Sequence, residues 1–434
     1  MIVSKIIKVL ILSSPFLFAC IHRGELGVIN MVILVFLSMF LLNRYEASII
    51  LLMCLPQLTG IIFPFFNVPI PGTLFCLLAS ICLLGRKIGY MYNKKNIFSL
   101  IYIFILLLYL TIAFVFSGET NYSLVKISSI YITAFISIIL FPILKNFSDI
   151  NSEKLSVLFL LSSILVYAIA YNIYGYAYPE TLLSFDNLRY ETMARVYEQT
   201  PYIISYHVPS FLGCMSLSFL LGSKSKIGLI DLIHIFSLLW IVMMSGARQG
   251  LFMFVVIFCI WLMIDITQNF KAKILVATAL STLFIFILLN FEVEYISSRF
   301  TDESSVETML NRNIYYPLDL IKTVPLLGIG LGNYLNPYTG EIYPHNMILE
   351  IIIELGYVGF ILIVLLCIAF FVNNRFDMRQ KLPNGLFVIF LILPYLMRSL
   401  ISQDLSTNII VFIAVFGLYY KGYVGKYFNN RIKP

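Results

Sequence analysis

Charge is scarce in this chain. Of 434 residues, 12% are Asp, Glu, Lys or Arg and 60% are hydrophobic, against ~25% charged in soluble domains. A water-soluble globular protein of this length is excluded. Histidine is rare, with four in all, so each can be weighed singly. The cysteines (Cys20, Cys54, Cys76, Cys82, Cys214, Cys259, Cys367) form no CxxC pair, and each lies in an apolar run. There they serve as small hydrophobes, and no metal site or disulfide framework is indicated. No internal repeat occurs, which removes support for an inverted-repeat transporter. The soluble stretches are too short for a separate folded domain. The net charge of +7 is spread over short loops and does not point to nucleic acid.

What is present is a series of apolar runs near the ~20 residues that a bilayer-spanning helix needs. Continuous runs exclude barrel strands. The chain reads as an all-α polytopic membrane protein of about 12–14 spans. The candidates are about 5–21, 27–43, 47–66, 71–85, 98–117, 124–144, 155–175, 203–222, 226–244, 249–267, 272–290, 345–372, 384–401 and 406–420. This is a single integral membrane domain, 1–434. It comprises N-terminal helices (1–175), a long loop (176–202), central helices (203–290), a larger loop (291–344) and C-terminal helices (345–434).

The connections alternate in charge. Arg86, Lys87, Lys94 and Lys95 share one loop. Lys145 with Lys154, Lys224 with Lys226, Lys271 with Lys273, and Arg375, Arg379 and Lys381 mark later ones, and the tail is basic. The intervening loops are acidic or neutral. By the positive-inside rule the basic set is cytoplasmic, as are both termini. The two long loops are then external, and Ile314–Val324 within the second reads as a short amphipathic helix.

One stretch gathers the polar residues at an external mouth: Pro325–Gly359, PLLGIGLGNYLNPYTGEIYPHNMILEIIIELGYVG. Gly328, Gly330 and Gly332 permit positive φ and close backbone approach, so their N–H groups are candidates to cradle a phosphate. The spacing is not a dinucleotide fingerprint, because no strand precedes it. His345 opens a helix directly after the loop, and a neutral imidazole suits a general base. Asn346 beside it is a candidate substrate contact. Arg248, at the external entrance of a span, sits where orientation alone does not explain a cation. Arg312 and Arg299 in the large loop, and Arg189 and Arg195 in the other, are candidates for phosphate recognition through the guanidinium fork. Glu350 and Glu354 share a helix face with Asn346. Carboxylates there are costly in lipid and need partners. The expected ion pair joins Glu350 or Glu354 to Arg398 or Arg248, with Glu350–Arg398 preferred. Gly356 and Gly359 suit close helix packing.

SGARQG at 245–250, an external loop with an arginine before PLLGIGLGN, and HNMILEIIIELGYVG at 345–359 together resemble the superfamily of O-antigen ligases and O-antigen polymerases. The resemblance covers roughly 240–375. It implies a glycosyltransferase of the bacterial cytoplasmic membrane that uses a sugar chain linked through pyrophosphate to undecaprenol, with no cofactor and no dedicated metal. Membrane lipids, a flippase and a chain-length regulator are the implied partners. Carried over by motif, Arg312, His345 and Arg248 hold the required positions. The R-x10-G pattern of some polymerases is absent, since neither Arg189 nor Arg195 has glycine eleven residues on. The expected activity is polymerisation of lipid-linked repeat units. Ligation of polymer to an acceptor is the alternative, and a lipid or polysaccharide transporter is the alternative from another class.

Overall fold

The computed structural model describes residues 44–54, 72–84, 97–118, 121–145, 151–173, 207–223, 227–245, 247–264, 278, 307, 310–373 and 393–400. Among these, every regular element is helical. Helix α1 (Arg44–Ile49) runs into a π-turn (Ile50–Cys54). Then come α2 (Gly72–Leu84), α3 (Ile97–Val115), α4 (Asn121–Lys145), α5 (Ser152–Ile173), α6 (His207–Ser223), α7 (Leu229–Met244) and α8 (Arg248–Ile264). A second π-turn (Asn311–Tyr315) leads into the short α9 (Tyr316–Ile321), and α10 (Met347–Asn373) follows. The apolar runs read from the sequence over these residues coincide with helices. The expected amphipathic piece at 314–324 is the second π-turn with α9. Among the described residues, one stretch, Met347–Leu365, is long and apolar enough to cross a membrane by length and composition, and five shorter apolar helices accompany it. The outermost N-terminal and C-terminal candidate spans lie outside the described residues.

Two compact units interleave along the chain, 1–83 with 147–300 and 382–394, and 84–146 with 301–381 and 395–434. In the first unit α6 packs on α5, α7 and α8. Small residues let these backbones close up. Ser216 Oγ donates to the Ser156 carbonyl at 2.6 Å, and Ser156 Oγ returns a bond to the Ser216 carbonyl at 2.8 Å. The ring of His234 joins this cluster, with Nε2 2.8 Å from Ser216 Oγ. It is a packed core histidine, as its place within an apolar helix indicates.

The second unit is built around α3, α4 and α10. Leu106, Leu110, Ile127, Ile130, Ile351 and Leu355 form its apolar core, with Leu331 from the glycine segment inserted. Helix α10 is broken at Gly356, where φ is 66° and ψ −176°. A break frees carbonyls that buried backbone must satisfy elsewhere. Here three carbonyls before the break find donors outside the helix. Ile329 N–H reaches the Ile353 carbonyl at 2.9 Å, Gly330 N–H the Glu354 carbonyl at 3.2 Å, and Tyr109 Oη the Leu355 carbonyl at 2.6 Å. Val358 N–H beyond the break donates to the Leu326 carbonyl at 3.3 Å. The glycine segment is thus stitched to the open backbone of α10. A Cβ on Gly356 would lie 2.2 Å from the Leu326 oxygen, and one on Gly328 2.2 Å from the Glu354 oxygen.

Gly340 provides the internal control for this contact. It too has positive φ, 71°, but nothing lies within 4 Å of a Cβ there. Gly340→Ala should cost only the left-handed backbone strain, about 1–2 kcal/mol. Gly356→Ala should lower the unfolding temperature of the purified protein clearly further. Equal shifts for the two variants would show that the loop does not seat against the break.

Candidate active site

The glycine segment is continued by a polar and aromatic crossing, 333–346, that leads to α10. Asn333 Nδ2 donates to the Ile329 carbonyl at 2.8 Å and closes the glycine turn. Asn336, buried, organises the next turn: its Oδ1 accepts from Tyr338 N–H at 2.9 Å and Thr339 N–H at 3.3 Å. Its own N–H donates to the Glu341 carbonyl at 2.8 Å, and its carbonyl accepts from Gly340 at 2.8 Å. Asparagine suits this place because its side chain mimics a backbone turn. Tyr316 of α9 braces the crossing, with Oη donating to the Leu335 carbonyl at 3.2 Å and its ring set edge-on to Tyr334 and Tyr338, each at 5.9 Å. Burial pushes the Tyr334 phenol well above its ordinary pKa, and the charges of Tyr316 and Glu341 add to the shift. It therefore stays a protonated donor. Asn336 lies near enough to offset part of that rise, although neither Tyr334 Oη nor Asn336 Nδ2 makes a hydrogen bond of normal geometry among the described residues.

This turn presents Glu341 to His345. Glu341 Oε2 lies 3.4 Å from His345 Nε2, and both groups are reachable, at 26% and 15% exposed. The ring of Tyr343 packs on the imidazole with centroids 4.3 Å apart. His345 has φ 50°, and among the described residues no other non-glycine residue has positive φ. Histidine tolerates this region better than most residues, but the conformation still costs of order 1–3 kcal/mol. Such strain persists only where the surroundings hold it in place. The carboxylate and the imidazole face each other at ion-pair distance.

The structure shows what three of the expected site groups touch. Gly328 and Gly330 do not offer N–H groups to a phosphate, because those donors are spent on Pro325 and Glu354 carbonyls. Their lack of Cβ, and that of Gly332, serves approach to Gly356, Ser117 and Ser123 respectively. Asn346, expected at the substrate, is the N-cap of α10, with Oδ1 accepting from Ile348 N–H at 3.0 Å and Leu349 N–H at 3.3 Å. Glu350 and Glu354 both meet Lys126 of α4, a cation that the expected pairing with Arg398 or Arg248 did not include. Its Nζ lies 2.5 Å from Glu350 Oε1 and 2.7 Å from Glu354 Oε2. Arg398, in the helical residues 393–400, has Tyr395 and Tyr343 in its electrostatic neighbourhood.

Of the expected catalytic trio, Arg312 and His345 fall in the second unit and Arg248 in the first. Arg312 lies in the π-turn before α9, and α9 packs on α10. π-turns recur at functional sites. Arg248 opens α8 just after Ser245, whose Oγ accepts from Ala247 N–H at 3.4 Å. Arg189, Arg195 and Arg299 lie outside the described residues. Among the described residues no group of acidic, histidine or cysteine side chains is arranged to hold a metal.

Two residues of this site escaped the sequence reading, and each had a signal. Glu341 stands four residues before His345. Lys126 is a cation at the external end of a predicted span, the same anomaly that singled out Arg248.

The cap assignment is testable by itself. Asn346→Asp should unfold at nearly the parental temperature, whereas Asn346→Ala should lose about 0.5–2 kcal/mol. An unchanged melting curve for Asn346→Ala would remove the cap from the account.

Residues 233–364 match the sequence model of a family described as O-antigen ligase. No curated protein matches the chain. The matched stretch contains most of α7, all of α8, the crossing that carries Glu341, and the His345 end of α10. Over this segment, about a third of its length, the chain is similar to the superfamily of O-antigen ligases and polymerases.

Proposed function

We propose that this protein is a polymerase that joins oligosaccharide repeat units carried on undecaprenyl pyrophosphate, at the outer face of the bacterial cytoplasmic membrane. The observation that carries the reading is the His345–Glu341 pair, strained, reachable and set at the mouth of an apolar helix within the family-matched segment. The acceptor sugar hydroxyl gives its proton to the imidazole while its oxygen attacks the anomeric carbon of the donor. The bond from that carbon to the pyrophosphate oxygen breaks, and the lipid pyrophosphate leaves with the electron pair. Glu341, at ion-pair distance, orients the imidazole. A leaving group of this kind needs cations where its charge grows, and Arg312, in the same unit as His345, is assigned that work, since the guanidinium fork fits phosphate oxygens.

Polytopic membrane placement is part of the same proposal. It is supported by the alternating loop charges and by the exposed leucines beside the site, Leu318, Leu326, Leu327 and Leu335. Such an apolar surface next to a polar crossing suits a loop lying on lipid. A reporter fused after Lys95 or Arg379 should read cytoplasmic and one after Glu303 external; an internal reading at the last site would rule out an external active site. The ligase reading is favoured by one finding, the description of the matched family. The two readings separate on the acceptor, a second lipid-linked repeat unit for a polymerase and a non-identical glycolipid for a ligase.

His345→Ala should abolish polymer at normal protein levels while the lipid-linked repeat unit accumulates. Glu341→Gln, which keeps the shape and loses the charge, should slow the reaction by less than the roughly 100–10,000-fold that a positioned general base itself contributes. Wild-type polymer in His345→Ala would end this mechanism. Arg312→Lys should lose most activity, because lysine keeps the charge without the fork. Full activity in Arg312→Ala would reduce that arginine to a surface charge.

A further inference from the structure

Lys126, Glu350 and Glu354 are fully buried charged side chains in one contact, each 0% exposed. The ammonium lies within 2.5 Å of Glu350 Oε1 and grips Glu354 through both oxygens, at 2.7 and 2.8 Å. The Tyr122 ring, one turn earlier on α4, lies 5.4 Å from the same nitrogen. Glu350 and Glu354 are one turn apart on α10, so both point to Lys126 only while one face of α10 is turned to α4. A rotation by a single residue, about 100°, would swing both carboxylates into the apolar layer. One contact would leave the helix free to pivot, and two contacts on successive turns do not. The residues that leave the top of α10 are Asn346 and the strained His345, so the rotation of the helix decides where the imidazole sits.

We propose that Lys126 is a positioning residue for the His345 site: it locks the rotation of α10 through Glu350 and Glu354. The word positioning rests on the reading of His345 as the base, while the rotational lock does not. Neutralising two acids is a simpler role, and the two roles part when all three charges are removed together. A buried ion triad replaced by neutral residues of similar size often keeps the fold, but it no longer specifies a rotation.

The test uses the full chain with its native cysteines replaced and one reporter cysteine added. Met347 is 8% exposed and Ile348 is 42% exposed, so with the lock intact Ile348→Cys should react with a polar maleimide much faster than Met347→Cys. Lys126→Met should reduce protein level. The triple change Lys126→Met, Glu350→Gln, Glu354→Gln should restore level and yet collapse the ratio of the two labelling rates toward one. In the triple variant turnover should fall by about 100-fold, the scale of an ångström-sized misplacement, with the KM for the lipid-linked donor unchanged. A parental labelling ratio in the triple variant would overturn the lock. A collapsed ratio with full polymer synthesis would leave the lock standing and sink the assignment of His345 as the base.

Discussion

A backbone carbonyl buried in an apolar surround must find a donor, and three carbonyls before the break in α10 at Gly356 find theirs outside the helix. The unit around α10 is arranged to close that gap. The glycine segment supplies two N–H groups and α3 supplies the Tyr109 hydroxyl. The repair demands backbone-to-backbone approach that no side chain permits, which explains glycine at 328 and 356 together: each would strike the other strand of the contact. The same seating carries Leu331 into the core, where its N–H meets the Ala113 carbonyl at 3.1 Å. The end of α3, the start of α4 and the top of α10 therefore meet at one loop.

The buried charges sit in that same layer. Glu354 gives its carbonyl to Gly330 and its carboxylate to Lys126, so one residue belongs to both the backbone repair and the ion cluster. Removing a single partner from such a cluster costs about 3–5 kcal/mol, which makes the arrangement all-or-none. Rigidity here has a use one turn higher. His345 occupies a backbone conformation that few residues hold without support, and its support is a fixed helix below, a cap at Asn346 and a packed ring at Tyr343.

Much of the framework was legible in the sequence. Apolar run length marked the helices over the described residues, because a continuous apolar run of that length is read as a helix whatever surrounds it. The i, i+4 spacing placed Glu350 and Glu354 on one face, and the cost of carboxylates in an apolar layer required a cation for them. The polar cluster after the glycine turn singled out His345 as a candidate, and the motifs around it resemble the family whose sequence model matches 233–364.

Only the tertiary structure decided the partners. Lys126 lies more than two hundred residues from the glutamates, and helical periodicity says which way a side chain points on its own helix, not which helix stands opposite. The glycine N–H groups could serve an anion or a protein carbonyl with the same local geometry, and the choice fell to the break at Gly356, which depends on how two distant segments meet. Asn346 was ambiguous for the same reason, since a capping amide and a ligand-binding amide share one residue type. Sequence determines periodicity, polarity and local turn chemistry because these act over neighbouring residues. Which donor satisfies which acceptor is settled by packing, where an unpaired buried group is too costly to leave.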